Sequence, residues 1–167
     1  MSIGEGYVTM DLYTVAFFGH RQLDTIISVE KKIKELATKL LARNEYTVFQ
    51  VGRQGVFDQA VSCAIRSVKK TFRNDNSSLT LVLPYETAEY RENQSSFRQY
   101  YDDIEIYPEK AYFKRAILLR NRYMVDRADL VVVYVERTTG GAYQALQYAQ
   151  KQGKTVINLA DSNLTLS

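Results

Sequence analysis

Five short runs of apolar residues, many of them β-branched or aromatic, constrain the fold of this chain more than any other feature. The runs cover 13–18, 46–51, 79–83, 130–135 and 155–159. Each has the length and the nearly continuous hydrophobicity of a strand that is buried on both faces. Gly19, Gly52 and Pro84 directly follow the first three runs, and these residue types commonly end strands. We therefore predict five strands in the interior of one sheet.

Segments with helical character separate these strands. Apolar residues recur every three or four positions over 26–41 and 56–68, which is typical of helices that bury one face. A further helix is predicted over 111–126. Strands that alternate with helices form a parallel sheet, and right-handed crossovers place the helices on both faces. We predict an α/β fold: a single Rossmann-like three-layer α/β/α domain with a mainly parallel sheet of about five strands, in the order 3-2-1-4-5.

The length of 167 residues favours one domain over 1–167. Within it we interpret 1–12 as an N-terminal extension. The segment 85–110 is rich in tyrosine and acidic residues and shows no clear period. We predict an irregular insert there, and a short helix within it stays open.

Composition excludes several classes of protein. The longest apolar run has six residues, too few for a membrane span, and 1–13 lacks the basic and apolar regions of a secretory signal. One cysteine, Cys63, permits no internal disulfide. The net charge of +3 does not by itself imply a nucleic-acid partner. We expect a cytoplasmic protein with no membrane partner, no cofactor and no metal.

Glycine and arginine are concentrated in the loops that follow the predicted strands. In a doubly wound sheet, ligands bind at this edge. Glycine allows the backbone to approach a ligand closely, a helix N-terminus presents free N–H groups to an anion, and arginine offers a bidentate donor to phosphate. The pattern predicts a phosphorylated ligand, a nucleotide in particular. The predicted binding residues are Gly19, His20, Arg21, Gly52, Arg53, Gly55, Asp58, Pro84, Thr139, Gly140, Gly141 and Tyr143.

Each of these residues also has a purely structural interpretation. Thr139 is a plausible helix cap, and Asp58 complements a helix dipole. His20 fits a hydrogen-bonded loop residue better than a catalyst, because no second histidine is available to pair with it. Tyr143 either stacks on a base or ribose or packs in the interior.

Three segments together resemble a known superfamily. They are VAFFGHR (15–21), VGRQGVFDQAV (51–61) and NRYMVDRADLVVVYVERTTGGAYQALQYAQKQGKTVINL (121–159). In this order and spacing they resemble the SLOG superfamily, which unites Smf/DprA with the LOG proteins, and within it the YpsA-like branch. The resemblance covers about 13–159 and implies a Rossmann-like domain that binds a nucleotide or a nucleotide derivative, such as an ADP-ribose-type molecule.

The superfamily's functional residues map onto individual positions of this chain. The matching positions are Gly19, His20 and Arg21 in the first loop, Gly52, Gly55 and Asp58 in the second, and Gly140 and Gly141 in the last. The superfamily's Asn-x-x-Met…Asp stretch matches Asn121, Met124 and Asp129. We interpret these three residues as supports of the fold more than as ligand contacts.

The chain departs from the LOG-type phosphoribohydrolases at their catalytic motif. Those enzymes carry Pro-Gly-Gly-x-Gly-Thr-x-x-Glu, whose carboxylate acts at the sugar. Aligned on the glycine pair, this chain has Tyr143 in place of the third glycine and Gln147 in place of the acid. An amide does not donate or accept the proton that glycosidic cleavage needs.

Three functions follow from these observations. We expect first a sensing or regulatory module that binds a nucleotide. The first alternative is an enzyme of N-glycosidic chemistry, a nucleotide phosphoribohydrolase or deoxyribosyltransferase. Its catalytic residues are unknown, and its candidate carboxylates are Asp58, Glu86 and Glu136.

The second alternative is a DprA-like binder of single-stranded nucleic acid, which needs a basic groove with aromatic side chains. Arg91, Arg98 and Arg115 lie among the tyrosines of the insert, but the acidic residues between them argue against it. A homo-oligomer is compatible with each of these functions.

Overall fold

The computed structural model of this protein describes residues 9–163. Its strands are β1 (Leu12–Gly19), β2 (Tyr46–Val51), β3 (Ser77–Leu83), β4 (Asp103–Ile106), β5 (Leu130–Tyr134) and β6 (Thr155–Asn158). They form one sheet in the order β4-β3-β2-β1-β5-β6, in which every neighbouring pair is parallel. The predicted order of five strands is confirmed, with β4 added beyond the third.

Helices cover both faces of this sheet. They are α1 (Ile26–Arg43), α2 (Val56–Thr71), α3 (Ala88–Glu92), α4 (Gln94–Tyr100), α5 (Phe113–Arg127) and α6 (Gly141–Lys151). One apolar core lies between the sheet and α1 with α2, and aromatic side chains of α3 and α4 extend it. A second core lies between the sheet and α5 with α6. The predicted three-layer α/β/α fold is confirmed.

The insert at 85–110 is more regular than predicted. Thr87 caps α3 by accepting a hydrogen bond from the Tyr90 N–H at 3.1 Å, and α4 follows within two residues. The chain then pairs as β4 with β3, from Asp103 opposite Thr80 to Ile106 opposite Leu83. The prediction of an irregular segment is therefore wrong for most of its length.

The N-terminal boundary also needs a correction. Leu12 belongs to β1, where it lies opposite Tyr46 of β2, so the predicted extension 1–12 ends too late. Residues 1–8 of that extension lie outside the described residues.

The order of the strands creates a crevice at one edge of the sheet. The chain moves outward from β1 through β2 and β3 to β4, and then returns to the other side of β1 as β5. Crossovers therefore diverge at the carboxyl ends of β1 and β5, which is where open α/β sheets bind ligands. Within residues 9–163, no helix has the length and apolar character needed to cross a membrane.

Candidate functional site

A cleft of about 450 Å³ opens at the carboxyl ends of β1, β2 and β5. The loops after these three strands form its walls, and the inner face of α5 closes it. It contains nine of the predicted binding residues: Gly19, His20, Arg21, Gly52, Gly55, Asp58, Thr139, Gly140 and Gly141. The three segments that carry them are up to 122 positions apart in the sequence, from 19 to 141, and parallel strands bring them together.

The first two loops touch through Gly55. A Cβ at this position would lie 2.4 Å from the Arg21 Cα, so the backbone contact requires glycine. The Val56 N–H at the start of α2 donates to the Arg21 carbonyl oxygen at 2.8 Å. This contact fixes the backbone of Arg21 while its side chain stays exposed at the cleft.

His20 is a hydrogen-bond acceptor in this site. Its ring is buried and meets the ring of Tyr134 edge-on, and its Nε2 accepts from the Glu136 N–H at 3.0 Å. Burial lowers the pKa of His20, and the charge of Arg137 lowers it further, while Glu136 opposes them. A neutral imidazole is the form that accepts this bond.

Asp58 lies in the first turn of α2 and faces the cleft. Its Oδ2 accepts the Gln54 N–H at 2.9 Å. Burial raises the pKa of Asp58, and the Gln54 N–H together with the charges of Arg120 and Arg21 moderates the rise. The residues that line the cleft, taken from the described part of the chain, include no carboxylate besides Asp58.

Arg120 is a site residue that the sequence analysis missed. It is 3% exposed, and its guanidinium donates to the Val82 carbonyl oxygen at 2.7 Å, to Asn121 Oδ1 at 2.9 Å and to Gln54 Oε1 at 3.3 Å. Burial lowers the pKa of Arg120, while Asp58 raises it. A signal was present in the sequence, because Arg120 is four residues from both Ala116 and Met124 and so falls on the buried stripe of α5.

The last loop aims a helix N-terminus at the cleft. Gly140 has φ of +94°, a conformation that glycine adopts without strain. The turn at Gly140 starts α6 at Gly141, so that 139–142 lines the cleft. The first N–H groups of a helix have no intrahelical partner and carry partial positive charge. Arg137, in the same loop, adds a full positive charge to this wall.

Three predicted binding residues lie outside the cleft. Arg53 turns to the other side of β2, where its guanidinium donates to Glu89 at 2.8 Å and to the Tyr101 hydroxyl at 3.0 Å. It lines a separate cavity of about 670 Å³. Pro84 is buried at the end of β3, and Tyr143 packs beside the core under α6. None of these three residues lines the cleft, and their role in binding stays a prediction.

The other two candidate carboxylates, Glu86 and Glu136, do not line the cleft, and neither does Gln147, which stands in place of the LOG-type acid. Glu136 is exposed, and its Oε1 accepts from the Tyr134 hydroxyl at 3.0 Å. Gln147 lines a third cavity, between α5 and α6, and donates to the Tyr143 hydroxyl at 3.1 Å. Within residues 9–163, no group of three His, Cys, Asp or Glu side chains is arranged to hold a metal ion.

Comparison with known proteins identifies the fold. No protein-family model matches this chain, and no curated protein matches it. The structure is similar to DNA processing protein A (DprA) from Streptococcus pneumoniae, with a TM-score of 0.61 and 18% sequence identity over 87% of this chain and 49% of that protein. It is also similar to DprA from Helicobacter pylori, for which a single-stranded DNA binding mode is described, with a TM-score of 0.61 and 18% identity over 86% of this chain and 63% of that protein.

At 18% identity, this similarity concerns the fold. The chain spans 49% and 63% of the length of these two proteins. A DprA-like fold agrees with the resemblance to the SLOG superfamily, whereas the assignment to its YpsA-like branch stays a prediction.

Proposed function

We propose that the cleft binds a nucleotide or a nucleotide-derived ligand, such as an ADP-ribose-type molecule, as a sensing or regulatory module. The observation that carries this proposal is the convergence of positive groups on one small cleft. The N-terminus of α6, Arg21, Arg120 and Arg137 all line it. Helix N-termini and arginines are the groups that proteins use for phosphate.

The charges around the cleft favour a ligand that carries a phosphate over a carboxylate ligand or a cation. Three arginines, Arg21, Arg120 and Arg137, and one carboxylate residue, Asp58, are among the described residues that line the cleft. Burial raises the pKa of Asp58. Gly140 and Gly141 leave the start of α6 open, since a Cβ at either position would have no atom within 4 Å.

A role in binding without strong catalysis is supported by the position of the acids. Glycosidic cleavage usually needs two carboxyl groups on either side of the bond. Asp58 is the one carboxylate of the described cleft lining, and Gln147 faces a different cavity. We therefore favour a sensing module over an enzyme of N-glycosidic chemistry.

Single-stranded DNA is the second candidate ligand, and two observations favour it. One is the similarity of the fold to DprA. The other concerns the acidic residues of the insert, which in the sequence analysis argued against a nucleic-acid ligand. Three of them are in ion pairs: Glu89 with Arg53 at 2.8 Å, Asp102 with Lys69 at 3.1 Å and Glu105 with Arg127 at 2.6 Å. Their charge is partly neutralised, so the insert repels a phosphate backbone less than its composition indicates.

A thermal-melting screen tests the proposal. The protein is melted with nucleoside monophosphates, ADP-ribose, NAD and a short oligothymidylate, each beside inorganic phosphate. A ligand at 100 times its Kd stabilises by ~2.7 kcal/mol, which raises the Tm of a domain of this size by roughly 5–10 °C. We expect this rise with a nucleotide and a much smaller one in the Arg137→Ala variant.

The matched control is Arg73→Ala. Arg73 follows the C-terminus of α2, at the opposite edge of the sheet, and is half-exposed in a pair with Asp75. This variant should respond to the nucleotide as the wild type does. A rise with oligothymidylate alone would favour the DNA alternative, and no rise with any compound would contradict the proposed function.

A further inference from the structure

Two exposed aromatic residues stand at the start of α5, and the half-buried Tyr85 contacts the second of them. Tyr112 and Phe113, at the start of α5, are 89% and 71% exposed. The ring of Tyr85 meets that of Phe113 edge-to-face, with 5.6 Å between the ring centres. We call Tyr85, Tyr112 and Phe113 the aromatic rim. Neighbouring exposed aromatics of this kind mark binding surfaces more often than isolated ones do.

The aromatic rim continues the wall of the cleft. Ile117 lines the cleft, and Phe113 precedes it by one helical turn, which places the two residues on the same side of α5 about 6 Å apart along the helix axis. Tyr85 comes two residues after the end of β3, at the carboxyl edge of the sheet. Both parts of the rim therefore lie at the edge where the cleft opens.

The chemistry of the rim complements a nucleobase. Lys114 and Arg115 are exposed next to Phe113, and Lys110 is exposed just before it. An aromatic face surrounded by cations suits a flat heterocycle attached to phosphate. The cleft lacks such a face among its described residues, because Phe17 and Phe18 are buried in the cores and His20 is covered by Tyr134.

We propose that the aromatic rim is the nucleobase subsite of the nucleotide whose phosphate lies at the start of α6. This proposal rests on the proposed function and adds to it a direction for the ligand, from Gly141 at the phosphate end to Phe113 at the base end. Phe113 provides the stacking surface, and Tyr85 holds its ring in place. Discrimination between nucleotides and simple sugar phosphates then depends on the rim.

Phe113 is the residue to test, since a side chain that is 71% exposed can be truncated with little effect on the fold. Titrations with adenosine monophosphate and with ribose 5-phosphate compare the wild type with Phe113→Ala and Phe113→Leu. The leucine variant keeps apolar contact with Tyr85 but loses the aromatic face. Stacking of one base changes affinity by roughly 5-fold to 150-fold, and we expect a loss in this range for adenosine monophosphate in both variants, with unchanged affinity for ribose 5-phosphate.

The control is Phe72→Ala, which removes a phenylalanine that is 51% exposed at the far end of α2. It should bind both compounds as the wild type does. Equal affinity of the wild type and Phe113→Ala for adenosine monophosphate would overturn the subsite and leave the proposed function intact. A wild type that binds no nucleotide would instead overturn the proposed function and the subsite with it. Dependence on Phe113 for a short oligothymidylate but not for adenosine monophosphate would also overturn this subsite, in favour of a bound strand.

Discussion

The Glu136 N–H donates a hydrogen bond to Nε2 of His20 at 3.0 Å, and this bond joins two loops that are 116 positions apart in the sequence. One loop follows β1 and the other follows β5, the two strands between which the crevice opens. Because Nε2 accepts, the bond requires a neutral ring. The geometry of the cleft is thus coupled to the protonation of one histidine.

Acidification should weaken the fold through His20. Burial and Arg137 lower the pKa of His20 in the folded state, so the unfolded chain takes up the proton first as pH falls from about 6.5. Stability is therefore lost as the pH drops from that value through the lowered pKa. Urea unfolding at several pH values should show this loss in the wild type and a smaller one in His20→Gln, which accepts the same bond without titrating. Identical pH dependence in the two proteins would exclude this role for His20.

Asp58 should have the opposite pH dependence. Burial raises the pKa of Asp58 in the folded state, so the folded protein holds the proton more tightly and stability falls as pH rises from about 3.9 through the raised value. Asp58→Asn removes this fall and still accepts the Gln54 N–H. We expect the variant to gain stability relative to the wild type across that range, and to bind a phosphate-bearing ligand more tightly.

Asp75→Asn is the matched control for this experiment. Asp75 is exposed, and its hydrogen bond from Arg73 lowers its pKa, so its replacement should cost stability above the ordinary pKa of an aspartate. A gain of unfolding free energy in Asp58→Asn together with a loss in Asp75→Asn would agree with a raised pKa of Asp58. A change in the same direction in both variants would contradict it.

The glycines of the cleft should separate into two classes. A methyl group at Gly55 would meet the Arg21 backbone at 2.4 Å, whereas one at Gly141 would have no atom within 4 Å. Gly55→Ala should therefore destabilise the fold by about 1–3 kcal/mol, the usual cost of overpacking, while Gly141→Ala should leave the melting temperature nearly unchanged. Thermal melting of both variants without ligand measures the difference. Equal destabilisation would show that Gly141 also has a packing role.

The fold could be predicted from the sequence wherever strands are buried on both faces. β3 and β5 are buried at every position, and nearly continuous apolar runs are the direct result of that burial. β4 could not be found in the same way. It is a four-residue edge strand, Asp-Ile-Glu-Ile, whose charges suit the solvated edge of a sheet, so it has no apolar run. Its position follows from pairing with β3, a contact that local pattern does not encode.

The sequence predicted those residues of the cleft that directly follow the ends of strands. Gly52 and Arg53 are adjacent in the sequence, but Gly52 faces the cleft and Arg53 faces Glu89 on the other side. Sequence proximity to a strand end does not determine which face a side chain takes. Arg120 illustrates the reverse case, because a helix contributes it from a segment that carries no glycine loop.

The protein should release little or no nucleobase from nucleoside monophosphates. A general acid or base must lie within hydrogen-bond reach of the bond that breaks, and Gln147 lines the cavity between α5 and α6 instead of the cleft. Gln147→Glu should therefore fail to create the activity, although it restores the LOG-type acid in sequence. A nucleobase-release assay on the wild type and this variant tests the expectation. Robust release by the wild type that is lost in Asp58→Asn would establish an enzyme instead.

Calorimetric titration of the Gly141→Val variant with the strongest nucleotide from the melting screen tests the central claim most directly. A Cβ at position 141 has no atom within 4 Å in the unliganded fold, and the branched side chain of valine should block the approach of a phosphate to the first N–H groups of α6. We predict a folded variant with the wild-type melting temperature and an affinity at least about tenfold weaker, roughly the loss of one charge-assisted hydrogen bond, while Arg73→Ala binds like the wild type. A folded Gly141→Val protein that binds the nucleotide as tightly as the wild type would contradict the assignment of phosphate to this end of the cleft.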